Sequence, residues 1–289
     1  MLRAGTGRGL HPRVSGLALA LFLLATPGAA QDAASKAESF FGKEELTRQV
    51  GLHEKNCKKG DAMECFNLGL AYAQGLGVPK DAARAATLFK QACDKKHLEA
   101  CNNLGIAYAE GQGVARDPKQ ALALFEKTCK AEDMKGCFNV GLAYENGTAG
   151  RQDAVLAASF FEKACGKGHA DGCLLLGLAH AQGKGVEKSP ERATTLFSKS
   201  CTAGNMKSCS LLGVSYMSGV GVAQDKKHAA TLFEKSCEAG IAGGCFNLGI
   251  AYQRGHGVEK DPARAKSMVQ RACDLGMPPA CAALKPKVP

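Results

Sequence analysis

Fourteen cysteines are the side chains best able to do chemistry in this sequence, and their spacing is regular. They stand at Cys57, Cys65, Cys93, Cys101, Cys129, Cys137, Cys165, Cys173, Cys201, Cys209, Cys237, Cys245, Cys273 and Cys281, with gaps that alternate 8 and 28 residues without error. Such thiols could ligate a metal, act as nucleophiles or close disulfides. Zinc sites usually use C-x2–4-C pairs and gather four ligands. Here the pairs are C-x7-C, and helices that pack about 8–10 Å apart would keep successive pairs from sharing one ion. Free buried thiols would be expected only if the chain stayed in a reducing compartment. Two disulfide schemes fit the spacing. Joining each Cys to the one 28 residues on leaves Cys57 and Cys281 single, whereas joining i to i+8 uses all fourteen. The expected bridges are therefore Cys57–Cys65, Cys93–Cys101, Cys129–Cys137, Cys165–Cys173, Cys201–Cys209, Cys237–Cys245 and Cys273–Cys281. Each closes a loop of nine residues, worth about 2.6 kcal/mol in the chain-entropy account.

Other catalytic constellations are missing from the sequence. No Ser is followed three residues later by Lys: Ser189 meets Arg192, Ser198 meets Cys201 and Ser267 meets Gln270. There is no SDN, KTG, HExxH or GxSxG. The seven His are never closer than eleven residues, so no local metal-ligand pair exists. Thr87 with Lys90 is the nearest imitation of a nucleophile–lysine dyad, but it falls inside a repeat-pattern helix. No catalytic residue, metal or cofactor is assigned.

What must position the cysteines is a repeat of 36 residues, the sign of stacked supersecondary units rather than independent domains. From Cys65 the chain reads CFNLGLAYAQGLGV, from Cys101 CNNLGIAYAEGQGV and from Cys245 CFNLGIAYQRGHGV. Six units span 65–100, 101–136, 137–172, 173–208, 209–244 and 245–280. They are preceded by a capping half-repeat at 31–64 and followed by a tail at 281–289. Each unit reads as two helices. The first begins near the Cys and stops at a Gly pair such as Gly75 and Gly77. The second is capped by Asp81, Asp117, Asp153, Ser189, Asp225 or Asp261, whose side-chain oxygens can accept from free backbone amides. Gly60, Gly168, Gly204, Gly240 and Gly276 suit a left-handed residue ending the second helix; Lys96 and Glu132 at the same place imply strain or a different turn. A mid-helix Gly (Gly69, Gly105, Gly141, Gly177, Gly213, Gly249) costs about 1 kcal/mol against Ala, which implies close approach of a partner helix.

The pattern Cys-x7-Cys-x-x-Leu-Gly-x-x-Tyr-x-x-Gly-x-Gly-Val-x-x-Asp resembles the Sel-1-like repeat, a relative of the tetratricopeptide repeat. The strict cysteine spacing resembles the secreted cysteine-rich Hcp-type proteins first named from Helicobacter. The likeness covers about residues 45–285. It implies an all-α fold, a right-handed α/α solenoid of helix-turn-helix repeats with one disulfide each, and so supports the i to i+8 pairing. It also implies extracytoplasmic adaptor roles and, as an alternative, penicillin binding or weak β-lactamase activity with a β-lactam or peptidoglycan-like ligand. Two units depart from the pattern: Ala149 and Gly150 replace Gly and Val, and His180 replaces Tyr.

Residues 1–30 hold Arg3, Arg8 and Arg13, a Leu/Ala-rich stretch, Pro27 and small residues, with no acid before Asp32. This reads as a secretory signal peptide, and therefore as a secreted or periplasmic chain. A transit sequence would share the arginines and the lack of acids. No apolar run reaches the roughly 18–20 residues of a membrane span. The net charge of +10 is dispersed and aromatic residues are 6%, so the basic stripe with stacking rings that nucleic acid needs is missing. A monomer is expected.

Solenoids usually bind on the concave surface that their curvature creates, and the first helices, being the more apolar, are expected to line it. On the first helices, the face opposite Cys/Leu/Gly/Tyr carries Asn67, Asn103, Asn139 and Asn247, then Ala71 and its equivalents, then Gln74, Glu110, Gln182 and Arg254. Asn offers donor and acceptor together, which suits a peptide backbone. Leu175 and Leu211 replace Asn in the central units. The expected ligand is a protein or extended peptide with one apolar anchor. Tyr72, Tyr108, Tyr144, Tyr216 and Tyr252 are expected in the core.

Overall fold

The 36-residue period resolves into pairs of thirteen-residue helices joined by short turns. The computed structural model describes residues 42–148 and 150–284, and no strand occurs among them. The expected signal peptide lies outside the described residues.

In the first compact unit, which ends at Leu124, α1 (Lys43–Lys58) packs on the hairpin of α2 (Ala62–Gln74) and α3 (Ala82–Asp94). They are followed by α4 (Leu98–Glu110) and the start of α5 (Pro118–Lys130). The core joins Leu46 and Val50 of α1 to Leu68, Ala71, Ala85, Phe89 and Leu104. The second unit begins at Phe125 within α5. It continues with α6 (Met134–Asn146), α7 (Ala154–Gly166), α8 (Ala170–Gln182), α9 (Pro190–Thr202), α10 (Met206–Ser218), α11 (Lys226–Glu238), α12 (Ala242–Arg254), α13 (Pro262–Asp274) and α14 (Pro278–Leu284). The C-terminal residues expected as a tail thus begin inside a helix.

The second-helix caps act as their residue types dictate. Asp81, Asp153, Ser189, Asp225 and Asp261 each accept from amides two or three residues on, as Asp117 does from Lys119 and Gln120. The sequence reading did not identify caps for the first helices. Asp61, Asp133 and Asn205 fill that position, and so do the ring nitrogens of His97 and His169. Ile241 caps nothing with its side chain. The first helices consequently begin three residues before their Cys.

All seven bridges run from i to i+8, with Cα–Cα distances from 4.4 Å in Cys129–Cys137 and Cys237–Cys245 to 4.7 Å in Cys201–Cys209 and Cys273–Cys281. These lie inside the window a disulfide can span. Each bridge ties the last turn of a second helix to the first turn of the next hairpin. Between them the chain turns through a left-handed residue. Lys96 (φ 68°) and Glu132 (φ 64°) adopt it without being Gly, so those turns carry strain rather than a different shape.

The mid-helix glycines meet the partner helix closely, most often a Phe ring with a backbone carbonyl behind it and, at Gly249, Val269 and the Ala265 carbonyl. A Cβ on Gly177 would lie 2.7 Å from Cε1 of Phe197, and Gly69, Gly141 and Gly213 face Phe89, Phe161 and Phe233 in the same way. The tyrosines are half-buried and pack against the core clusters from the edge: Tyr72 and Tyr108 in the first unit, Tyr144, Tyr216 and Tyr252 in the second. Their helical carbonyls end the first helix: the Tyr72 carbonyl accepts from the Asp81 amide at 2.9 Å, while the Tyr72 hydroxyl takes a hydrogen bond from Arg84 at 3.0 Å. The ring thus packs on the core while its polar tip reaches the surface.

Candidate functional site

The row expected to bind peptide is covered at some positions and open at others. Ala71 and Ala251 are buried, at 0% and 1% exposure. At these two positions the small side chain is covered, whereas Ala143 and Ala179 in the same row are half-buried. Asn67, Asn103, Asn139 and Asn247 are half-buried, whereas Glu110, Gln182 and Arg254 are exposed. Gln74 is 6% exposed, and its amide has no hydrogen-bond partner among the described residues. Glu110 instead accepts from Gln112.

Of these residues, Gln182 lines a cavity of about 110 Å³ in the second unit. Its floor is apolar. Ala154, Ala157, Ala158 and Phe161 of α7 meet Leu175, Leu178 and Ala179 of α8 there. The helix period places them, because Leu175, Leu178, Ala179 and Gln182 are spaced 3, 4 and 7 apart and share one face. The rim is polar: Gln182 closes one side, and Lys184 pairs with Glu145 at 3.3 Å. The sequence reading identified Leu175 as a departure from Asn but missed Glu145 and Lys184. The signal was there, since other repeats place Ala73, Ala109 or Ala181 where Glu145 stands, and Leu76 or Val220 where Lys184 stands.

This cavity can hold one apolar side chain, with a carboxylate and an ammonium at its mouth for the flanking polar groups. Chemistry on covalent bonds has no comparable support. The Thr87 hydroxyl donates to the Ala83 carbonyl at 2.9 Å, and Lys90 pairs with Asp94 at 2.8 Å. The Asp94 carboxylate raises the Lys90 pKa, opposite to what a lysine base requires. With all fourteen cysteines bridged, no thiolate is left as nucleophile or metal ligand.

Sel1 repeats match residues 65–97, 98–133, 135–169, 170–205, 207–241 and 242–277. The chain belongs to the Sel1 repeat family. Among solved structures, this Sel1 repeat chain is similar to a protective antigen present in uropathogenic Escherichia coli strains displaying an SLR fold. The likeness has 27% identity and a TM-score of 0.74, over 80% of this chain and 50% of that one; the chain thus spans half the antigen's length. A Sel1 repeat protein from Oxalobacter formigenes shares the fold at 20% identity and a TM-score of 0.65, over 89% of this chain and 96% of that one. Helicobacter pylori cysteine rich protein B is 30% identical over 46% of this chain and 96% of its own length, with a TM-score of 0.39. No curated protein sequence matches the chain. Repeats of this class mediate protein interactions, and disulfides in every repeat suit an oxidising, extracytoplasmic compartment. Among the described residues, no helix is long and apolar enough to cross a membrane.

Proposed function

We propose that the chain is a secreted or periplasmic, monomeric scaffold that takes an extended peptide, or an extended segment of a protein, across α6–α8. The observation that supports this reading is the cavity with an apolar floor and a Glu145–Lys184 rim. One apolar residue of the peptide enters it, and the half-buried amide of Asn139 on α6 pairs with peptide backbone beside it. In the second unit Asn247 and Arg254 on α12 offer a further amide and a cation to a longer ligand. Asn67, Gln74, Asn103 and Glu110 offer the first unit's own polar row. The compartment follows from the seven bridges and the signal peptide read at residues 1–30.

The test is a displayed library of extended peptides against the oxidised protein. Enriched peptides should share one aliphatic or aromatic residue flanked by charge. Burying such a side chain contributes about 1.5–3 kcal/mol, so Ala179→Leu, which fills the cavity, should weaken the selected peptide about tenfold or more. Lys184→Ala should weaken peptides with an acidic flank. Unchanged affinity in Ala179→Leu would reject the site.

A further inference from the structure

A second cavity, on a different face of the helices, breaks the repeat in another way. It has a volume of about 620 Å³ and lies between α9, α10 and the turn that follows α10. It is an open groove rather than an enclosed pocket, so a ligand there would keep one side in solvent. Thr194, Thr195, Ser198, Lys199 and Thr202 of α9 form one wall, and Leu212 and Tyr216 of α10 form another. The side chains that open it are peculiar to this repeat. Where Ser198 stands, the other five repeats have Lys90, Glu126, Glu162, Glu234 and Gln270; where Thr202 stands, they have Asp94, Lys130, Gly166, Glu238 and Asp274. At Ser198 a short hydroxyl stands where every other repeat has a long polar or charged side chain, and at Thr202 a hydroxyl stands where four of the five others carry a charge.

That exchange goes against helix formation. Ser198 is about half a kcal/mol worse in a helix than the Lys or Glu of the other repeats, whereas Thr202 is worse only than Lys130 and Glu238. Nothing in the fold compensates at Ser198 and Thr202. Both are exposed, and neither side chain makes a hydrogen bond among the described residues. Lys199 makes no ion pair there either. Departures from local preference with no structural return mark functional positions. The rest of the wall is built: the Thr194 hydroxyl, at 6% exposure, donates to the Val220 carbonyl at 3.3 Å, and Thr195 donates to the Glu191 carbonyl at 2.9 Å. The Tyr216 ring is packed edge-on by His228, with centroids 4.6 Å apart.

The lining selects a chemical class. Hydroxyls both donate and accept, so they match a ligand whose own groups do both. An aromatic ring beside a Leu offers a platform for the C–H face of a sugar ring. Lys199 supplies one positive charge, and no carboxylate lines the cavity to balance it. We infer that the groove between α9 and α10 binds a short oligosaccharide that carries a carboxylate, with Ser198 and Thr202 on its hydroxyls, Tyr216 against its ring and Lys199 on its acid group.

Calorimetry with three probes tests this: a uronic-acid oligosaccharide, an N-acetylmuramic-acid disaccharide and neutral chitobiose. At least one acidic sugar should bind saturably, and about tenfold more tightly than chitobiose, the worth of one charge-assisted hydrogen bond. Lys199→Gln should remove that preference. Ser198→Glu and Thr202→Lys restore residue types the neighbouring repeats already use, so the fold should survive; both should abolish sugar binding while the thermal midpoint holds or rises. Peptide binding at the α7–α8 cavity should be untouched in these variants. The proposal is overturned if none of the three sugars binds, if chitobiose binds as well as the acidic probes, or if Ser198→Glu binds as the parent does.

Discussion

Gly177→Ala is the substitution whose outcome the packing decides against the usual rule. Replacing a mid-helix Gly by Ala normally stabilises a helix by about 1 kcal/mol. Here the new methyl would lie 2.7 Å and 2.9 Å from two carbons of the Phe197 ring and 3.3 Å from Cβ of Leu196. The ring has little room to retreat: Phe197 is 5% exposed and packed with Leu174, Ala193, Cys201, Leu212 and Leu232. Overpacking of this kind costs about 1–3 kcal/mol. Set against the propensity gain of about 1 kcal/mol, the net effect should be a loss of up to about 2 kcal/mol, with no net gain. Gly51→Ala in α1 is the control, because a Cβ there meets nothing within 4 Å, and it should show the ordinary gain. Guanidinium denaturation gives the global change. Amide exchange in α8 and α9 gives the local one, which matters because a repeat stack need not unfold in one step. Phe197→Leu loses ring burial on its own, but combined with Gly177→Ala it should show favourable coupling of about 1 kcal/mol, since the methyl then fills vacated space. A Gly177→Ala protein stabilised as much as Gly51→Ala would refute the reasoning, as would strict additivity in the double variant.

Lys96→Gly should stabilise the first unit by about 1 kcal/mol, because it relieves a left-handed backbone at φ 68°; a melting curve checks it. Burial lowers the His169 pKa below its ordinary 6.5, an effect that Asp171 and Asp133 oppose and Lys135 reinforces. The folded state therefore holds the ring neutral, with Nδ1 accepting from the Gly172 amide at 3.1 Å. The unfolded chain takes up the proton first, so this contribution is complete above about pH 6.5 and is lost as pH falls through the lowered value. His169→Asn, the cap residue type of α10, should keep the cap and flatten that slope in a series of melts from pH 7 to about pH 5. Non-reducing peptide mapping should recover the seven i to i+8 bridges and no free thiol. Cys201→Ala with Cys209→Ala should cost up to about 2.6 kcal/mol, read as faster exchange at the α9–α10 turn.

Most of the architecture was legible because it is written in spacing. The alternation of 8 and 28 residues located every bridge, and a single oxygen-bearing residue before each second helix located its start. The first-helix caps were not legible. Asp61, His97, Asn205 and Ile241 share one position without sharing a chemistry, so no pattern announces it. How far the Asn row is covered was not legible, for a different reason. Helical spacing tells which residues share a face, but not whether a neighbour covers it, and only the buried Ala71 shows that one does. The cavity rim was half legible. Leu175 stood out as a break in the pattern, while Glu145 and Lys184 acquire meaning only once their helix and turn are brought within 3.3 Å.

Because every sulfur link spans only the short turn between one hairpin and the next, the 28-residue stretches between links remain free to lengthen. Pulled from its two ends, the chain would pay out in equal increments, each stretch reaching about 95 Å when fully drawn. The links themselves would stay shut, so the chain would yield under load and rewind one hairpin at a time.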